Sequence, residues 1–293
     1  MFSLIVATIG RTMELDRLLE SLRRQSQHEF ELIIVDQNTD GRLDPVVRRF
    51  SDLSIKHLRC EPGVSHARNL GIRASTGDVI ATPDDDCWYP DDLLASVKNW
   101  LEAHRDYDVL FTDARNQNNK PMRPKWPPPA GPCTKSNVWD CTGAITGFYR
   151  RKVVDTIGGF DERLGPGPNT LFEACEDIDF CIRPLSSGFQ MWYEPSLWVY
   201  HPDFQSLERL RRVTYPYALA YGYVSRLHQY SRPYIAGRIA RSVGGCGLSL
   251  CRLDLSRAYL YLLRAVGQFR GYALGSRDAE QHASSPRQES GLL

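Results

Sequence analysis

Short apolar runs alternate with amphipathic helical patterns through the first two thirds of the chain. The runs occupy residues 3–8, 31–36, 54–59, 79–82 and 109–112. Between them, apolar residues recur every three or four positions, as in 15–22 and 93–101, which is the spacing of a helix with one buried face. Strands and helices that alternate in this way form right-handed βαβ units. The sequence therefore predicts an α/β fold with a mostly parallel sheet flanked by helices.

Polar residues stand at the carboxyl ends of several predicted strands, which is where open parallel sheets bind their ligands. Thr8, Asp36 and the triplet Asp84–Asp86 occupy such positions. Three adjacent carboxylates repel one another unless a cation or hydrogen-bond donors lie among them, and their oxygen atoms suit a hard divalent ion. The triplet therefore predicts a Mg²⁺ or Mn²⁺ site. The alternative is a polar loop whose aspartates cap a helix.

A second acidic cluster lies at residues 173–180 and includes Glu176 and Asp177. Its pattern is typical of the first turn of a helix, where carboxylates interact favourably with the helix dipole. A carboxylate held among apolar neighbours is also what a general base requires. Two further residues have two interpretations each. Arg68 is either a solvated helix residue or a ligand of phosphate, and His201, after an apolar run, is either structural or a ligand.

The nucleotide-binding signatures of two large α/β classes are absent. Neither a G-x-G-x-x-G after the first strand nor a G-x-x-x-x-G-K-[ST] occurs, which argues against a dinucleotide-binding fold and against a P-loop NTPase. An acidic residue at the end of the second strand is typical of contact with a ribose or a base, so Asp36 indicates a nucleoside ligand. The net charge of +1 predicts no nucleic-acid partner.

Several motifs in a fixed order give the chain a resemblance to a known family. They are Thr8 and Arg11 after the first strand, Val35-Asp36-Gln37, Ala67–Gly71, Asp84–Asp86 before Trp88-Tyr89-Pro90, Arg150–Asp161 and Cys175–Asp179. Over about residues 3–204, the chain resembles the inverting glycosyltransferases of family 2, which have a GT-A fold.

The resemblance implies a role for each polar residue at this edge of the sheet. The nucleotide sugar would contact Thr8, Arg11, Asp36, Arg68, Asp84 and Asp85. The metal ion, Mn²⁺ or Mg²⁺, would be held by Asp86 and His201, and the catalytic base would be Asp177 with Glu176 beside it. Where this chain has Gln37, many relatives carry a second aspartate that reads uracil. The implied donor is a nucleoside-diphosphate sugar, with a UDP-sugar favoured.

The implied reaction is a single displacement in which a hydroxyl of a glycan or of a lipid-linked acceptor takes the sugar. Two other functions fit parts of the pattern. A nucleotidyltransferase shares the sheet, the carboxylates and the nucleotide, but it carries a glycine-rich loop after the first strand, which residues 7–11 do not resemble. A non-catalytic relative would bind a sugar or a nucleotide, although such relatives tend to lose one of the two acidic sets.

The composition changes after residue 204. Residues 205–275 are helical by pattern, hold eleven arginines against two acidic residues, and are rich in tyrosine. We expect a glycosyltransferase domain over 1–204, a basic helical appendage over 205–275 and a disordered polar tail over 276–293. The appendage is either a cap on the catalytic domain or a peripheral membrane surface, on which arginines and tyrosines contact anionic lipid.

The cysteines and the N-terminus bear on the compartment. Eight cysteines are scattered without a C-x-x-C pair or the spacing of a zinc site, as in reduced proteins. The apolar stretch near the N-terminus lacks the charged region and the cleavage site of a signal peptide. The sequence therefore predicts a cytoplasmic protein, peripheral at the inner face of the membrane if the appendage binds lipid.

Overall fold

In the computed structural model, an eight-stranded mixed sheet, counted over the described residues, forms the centre of the first of two units. The structure describes residues 1–122, 128–168, 170, 172–203 and 207–284, with 276–284 described by their backbone alone. The first unit consists of the described parts of 1–169 and 176–204, and the second consists of those of 170–175 and 205–293.

Most strands of the sheet run in one direction. In chain order they are β1 (Phe2–Thr8), β2 (Phe30–Asp36), β3 (Ile55–Arg59), β4 (Val79–Ala81), β5 (Val109–Arg115), β6 (Gly131–Pro132), β7 (Gly147–Arg150) and β8 (Met191–Tyr200). Their spatial order is β3-β2-β1-β4-β7-β5-β8-β6. Only β6 and β7 run opposite to the others in this set of described strands. The predicted α/β fold with a mostly parallel sheet is confirmed, and the parallel strands end at one edge.

Helices flank the sheet and bury its strands. In the first unit they are α1 (Met13–Arg23), α2 (Asp44–Arg49), α3 (Val64–Ala74), α4 (Leu93–Ala103), α5 (Val138–Cys141), α6 (Arg151–Ile157) and α7 (Glu176–Ser186). The predicted leucine stripe of α1 lies in the same apolar core as residues of β1 and β2. Every residue of β2 is buried, as expected for a parallel strand that helices cover.

The strands β7 and β8 each depart from a simple βαβ pattern. Sequence reasoning missed β7, which lies antiparallel between β4 and β5, because a strand of four residues is too short to show a hydrophobic period. The last strand, β8, continues through Pro195, but its register against β5 shifts there. Proline cannot donate a hydrogen bond to the neighbouring strand, so the shift is the expected response.

The second unit is helical, as predicted. Its helices are α8 (Leu207–Leu227), α9 (Arg232–Cys251) and α10 (Leu255–Ser284). Residues 170–175, which the sequence placed in the first domain, belong to this unit, where Phe172 stacks on Tyr223 with ring centroids 4.0 Å apart. Over the described residues, no helix combines the length and the apolar composition that crossing a bilayer requires.

The boundary expected at residue 276 needs correction. Helix α10 continues to Ser284, nine residues into the segment for which we expected disorder. Residues 276–284 contain neither glycine nor proline and include alanine, glutamate, glutamine and arginine, all of which are strong helix formers. The rest of the expected tail, 285–293, lies outside the described residues.

Glycine allows α8 and α10 to cross at backbone contact. A Cβ atom at Gly271 would collide with the carbonyl oxygen of Leu219 and would stand 2.9 Å from the backbone nitrogen of Tyr223. At Gly237 of α9, by contrast, a Cβ atom would have no neighbour within 4 Å. The crossing therefore depends on glycine at the first position, and the second position has no such requirement.

Replacing these two glycines by alanine is expected to change stability in opposite directions. Gly271→Ala should lower the free energy of unfolding by about 1–3 kcal/mol, because the facing helix backbone leaves no room for a methyl group. Gly237→Ala should raise it by about 0.5–1 kcal/mol, because alanine loses less conformational entropy than glycine in a helix. Urea unfolding followed by circular dichroism measures both. Equal effects would contradict the close crossing.

Candidate active site

Four residues that the sequence placed at the carboxyl edge of the sheet are in contact there. Asp85 accepts a hydrogen bond from Thr8 Oγ1 at 2.7 Å and another from Arg11 Nη1 at 2.5 Å. The same nitrogen of Arg11 lies 2.7 Å from Asp86 Oδ2. The end of β1 and the turn after β4 therefore form one hydrogen-bonded group.

Burial and charge act against each other in this group. Burial raises the pKa of Asp85 even though the Arg11 guanidinium and the Thr8 hydroxyl favour the charged form. Burial also opposes ionisation of Asp86, but the neighbouring His201 and Arg11 outweigh it and lower the pKa of this carboxyl group. Of these two buried aspartates, Asp86 therefore ionises more readily.

A pair of aromatic residues brings the end of β8 to the aspartate turn. Trp88 and Tyr200 exchange two backbone hydrogen bonds of 3.1 and 2.8 Å, and their rings stack with centroids 5.3 Å apart. Because Trp88 follows Asp86 by two residues and Tyr200 directly precedes His201, His201 Nε2 lies 3.2 Å from Asp86 Oδ1. The resemblance predicted the proximity of Asp86 and His201, but sequence reasoning missed the aromatic pair that causes it.

The ring of His201 directs one nitrogen toward the carbonyl oxygen of Pro202 and the other toward Asp86. Its Nδ1 lies 2.8 Å from the carbonyl oxygen of Pro202, and a carbonyl can only accept, so Nδ1 carries the hydrogen and Nε2 faces Asp86. Asp86 Oδ1 is buried and accepts no well-aligned hydrogen bond from the described residues. With Cys87, these residues form a buried set whose three ligand atoms lie within 4.8 Å of one another. This donor set fits a divalent cation.

Arg68 of α3 is buried and bridges two acidic groups. Its Nη2 lies 2.8 Å from Asp84 Oδ1, and its Nη1 lies 3.1 Å from Glu176 Oε1. Although burial opposes the charged form, these carboxylates and Asp177 raise the pKa of the guanidinium. Arg68 is therefore not a solvated helix residue. One buried cation faces three carboxylates, which leaves a local excess of negative charge.

Glu176 and Asp177 form the first turn of α7, in line with the helix-start interpretation. Burial, and then the charge of Asp177, raises the pKa of Glu176 to about 7 against the effect of Arg68. Burial also raises the pKa of Asp177. Glu176 is paired with Arg68, whereas Asp177 is partly exposed and its Oδ1 accepts the N–H of Ile178 at 2.8 Å. Asp177 thus combines a raised pKa with a partly exposed surface.

Asp36 lies at the same edge but has no exposed surface. Its Oδ1 accepts the backbone and side-chain N–H groups of Asn38 at 2.8 and 2.7 Å, and its Oδ2 lies 3.1 Å from His57 Nε2. Asn38 in turn accepts the N–H of Gly10 at 2.8 Å. Asp36 therefore orders the loop after β2, where Asn38 is partly exposed, and its contact with a nucleotide stays a prediction.

Two residues at the site could not be recognised as site residues from the sequence. Arg17 of α1 donates from Nη2 to the carbonyl oxygen of Asp86 at 2.6 Å, and its guanidinium lies 4.0 Å from the centroid of the Trp88 ring. Cys87 is completely buried beside Asp86. An arginine in an amphipathic helix and a buried cysteine are both common without any function, so their positions along the chain do not distinguish them.

Comparison with known proteins identifies the family. The model of the family described as Glycosyl transferase family 2 matches residues 3–158. Over 200 residues, the chain is 30% identical to a PGL/p-HBAD biosynthesis glycosyltransferase of Mycobacterium tuberculosis, covering 64% of this chain and 70% of that protein. It is 29% identical over 221 residues to a glucosyl-dolichyl phosphate glucuronosyltransferase of Haloferax volcanii, covering 69% of each. Across the first curated glycosyltransferases that it matches, the chain spans 61% to 70% of their length.

Solved structures agree on the fold. The mannosyltransferase PcManGT from Pyrobaculum calidifontis, in complex with GDP-Man and Mn²⁺, aligns with a TM-score of 0.62 at 16% identity, covering 92% of this chain and 86% of that one. At this identity the likeness supports the GT-A-type architecture alone. The family match covers Thr8, Arg11, Asp36, Arg68 and the aspartate triplet. The chain therefore belongs to glycosyl transferase family 2.

Proposed function

We propose that this protein transfers a sugar from a nucleoside-diphosphate donor to a hydroxyl group of an acceptor, with inversion at the anomeric carbon. The observation that carries the proposal is the meeting of two polar networks at the aspartate triplet. Asp86 faces His201 in one of them, and Arg68 joins Asp84 to Glu176 in the other. Family membership supplies the class of reaction, and these networks supply the groups that such a reaction needs.

Asp86 and His201, with Cys87 beside them, would hold a divalent ion. Mn²⁺ suits this set better than Mg²⁺ does, because imidazole is a poor ligand for the harder ion. When bound, the ion offsets the negative charge of the diphosphate. Arg11 binds Asp86 through Oδ2, which orients the carboxylate and leaves Oδ1 directed at His201. Thr8 and Arg11 together fix Asp85, so the turn is ordered before any ligand binds.

Asp177 acts as the base in this proposal. It takes the proton of the acceptor hydroxyl while the hydroxyl oxygen forms a bond to the anomeric carbon and the bond from that carbon to the diphosphate oxygen breaks. The departing nucleoside diphosphate keeps the electron pair. A raised pKa suits this task, because a general base is most effective when its pKa lies near the pH at which the enzyme works. Glu176, which Arg68 holds in place, would bind the acceptor beside it.

The donor and the acceptor are proposed more coarsely. Gln37 Oε1 accepts the N–H of Gly63 at 2.7 Å, so this side chain is already occupied and is poorly placed to read a base. We favour a UDP-sugar from the family resemblance, while the solved relative of similar fold binds GDP-Man. The name of the Haloferax relative includes a dolichyl phosphate. This supports a lipid-linked acceptor for this chain, with a glycan as the other candidate.

Asp86→Asn is expected to remove the metal-dependent part of nucleotide binding. The variant loses one negative charge at the proposed ligand, so nucleotide affinity in Mn²⁺ should fall about tenfold or more. Thermal unfolding of the wild-type protein and the variant with UDP, GDP, dTDP or CDP, each with and without Mn²⁺, measures this, because a ligand of the folded state raises the unfolding temperature.

The matched control for this experiment is Asp106→Asn, which removes an exposed carboxylate between α4 and β5. It should leave the Mn²⁺-dependent shift unchanged. A wild-type protein that responds to no nucleotide would argue for a non-catalytic relative. An unchanged shift in Asp86→Asn would place the metal elsewhere.

A further inference from the structure

Exposed apolar side chains are concentrated in the second unit. Among the residues that the structure describes, fifteen large hydrophobic side chains are exposed, and twelve of them lie between 207 and 269. Single exposed hydrophobic residues are normal on any protein surface. A contiguous set, however, marks a surface that a partner or a lipid phase covers.

Five of these side chains form a stripe along α10. They are Leu255, Tyr259, Leu262, Val266 and Phe269, and we call them the α10 stripe. Steps of four, three, four and three residues keep a set on one face of a helix. At the two ends of the stripe, Leu255 is 69% exposed and Phe269 is 65% exposed. Its helix packs against α8 through a different face, which includes Gly267 and Gly271.

The end of the stripe continues into the turn before α10. Leu253 is 86% exposed and has a φ of 57°, a left-handed conformation that is unfavourable for leucine. On α9, Val243, Leu248 and Leu250 are exposed as well. Folding of this unit alone therefore leaves α9, the turn and α10 with uncovered apolar surface.

The charge around the stripe indicates which kind of partner binds to it. Arg252 in the turn and Arg270 near the end of α10 are exposed beside the stripe, whereas Arg257 and Arg264, each two residues from a stripe member, lie on the opposite side of the helix. Residues 205–275 contain eleven arginines and only two acidic residues. A second copy of the same surface would bring like charges together, which costs free energy. An anionic lipid surface instead accepts the apolar side chains and attracts the arginines.

We propose that the α10 stripe docks on the surface of an anionic membrane, with Leu253, Leu255 and Phe269 in contact with the acyl region and with Arg252 and Arg270 at the level of the lipid phosphates. The docking deepens the proposed function, because it would bring a lipid-linked acceptor to the protein, but the physical argument for it does not depend on transfer.

Vesicle co-sedimentation of the full chain tests the proposal. The vesicles contain either phosphatidylcholine alone or a mixture with phosphatidylglycerol. We expect binding to the anionic vesicles, weaker binding to the neutral ones and a decrease with salt. The double variant Leu255→Gln/Phe269→Gln should bind roughly tenfold more weakly, because it loses apolar contact without any change in charge.

Met13→Gln is the matched control, because Met13 is 80% exposed on α1 in the first unit. It should bind vesicles as the wild-type protein does. Circular dichroism and the Mn²⁺-dependent nucleotide response, recorded on the same samples, show that each variant is folded. They also separate a failure of docking from a failure of the proposed transfer.

Three results would overturn the proposal. The first is a wild-type protein that binds no anionic vesicles although it responds to a nucleotide. The second is a double variant that binds as tightly as the wild-type protein. The third is a wild-type dimer, seen by sedimentation equilibrium, that the double substitution dissociates and that does not bind vesicles, since a second copy would then cover the stripe.

Discussion

Asp177→Asn is expected to lower the rate of sugar transfer by about two to four orders of magnitude. The amide has almost the shape of the carboxylate but cannot accept the proton of the acceptor hydroxyl at neutral pH. Asp177 is not a member of the set formed by Asp86, Cys87 and His201, so nucleotide binding in Mn²⁺ should persist. Release of nucleoside diphosphate, measured with a saturating donor and a lipid-linked acceptor, gives the rate, and the thermal response to the nucleotide gives the binding.

Glu173→Gln provides the matched control. Glu173 is an exposed acid four residues before Asp177 in the same acidic segment, so its loss should leave the rate within a factor of two or so. Near-normal turnover of Asp177→Asn would mean that another group is the base. Release of pyrophosphate in place of nucleoside diphosphate by the wild-type protein would favour a nucleotidyltransferase.

Arg68→Met is expected to lower the free energy of unfolding by about 3–5 kcal/mol, because it leaves buried carboxylates without their cation. The side chain of Arg68 is only 5% exposed, and it pairs with both Asp84 and Glu176. The methionine fills a similar volume, so the loss reports charge more than packing. Such a loss is a large part of the total stability of an ordinary domain.

The loss should grow with pH. The pKa of Glu176 is raised from 4.5 to about 7 by burial and by Asp177, while Arg68 opposes this rise. Between these two pH values the folded state holds a proton that the unfolded state has released, so stability falls as pH rises. Without Arg68 the pKa of Glu176 rises further and the fall extends to higher pH. The effect of Arg68→Met should therefore be smaller at about pH 5 than at about pH 8.

Arg73→Met on the same helix is the control, because Arg73 is exposed and its replacement should change stability by no more than about 0.5 kcal/mol at either pH. Urea unfolding at the two pH values measures all three proteins. If Arg68→Met and Arg73→Met lower the free energy of unfolding by the same amount, the buried charge network contributes nothing measurable to stability. If the loss of stability in Arg68→Met does not change with pH, Arg68 does not lower the pKa of Glu176.

The sequence predicted the architecture because its signals are local. The apolar runs that become β1 and β2, and the leucine spacing of α1, each lie within a dozen residues. The antiparallel insertion of β7 has no such signal, since what places it is pairing with β4 and β5 across the sheet. The end of α10 differs from expectation for another reason: the polar composition of this segment favours disorder, while its individual residues are good helix formers.

The site was predictable where its members end parallel strands. Thr8 and the aspartate triplet follow from that rule, and the structure joins Thr8 directly to Asp85. Contacts between residues that are far apart in the sequence could not be predicted from local sequence patterns. The buried bridge of Arg68 between Asp84 and Glu176 spans separate elements. The Trp88–Tyr200 pair likewise joins two positions that only the folded sheet brings together.

The position of β7 also governs how a growing chain acquires its sheet on the ribosome. Strands β1 to β4 are synthesised before β7, yet β7 is the strand that covers the free edge of β4. Until residue 150 has emerged, that edge presents unpaired backbone groups, which are a template for association with another chain. A nascent or truncated chain that stops between β5 and β7 is consequently exposed to aggregation at this edge. The family match ends at residue 158, soon after the strand that removes this hazard.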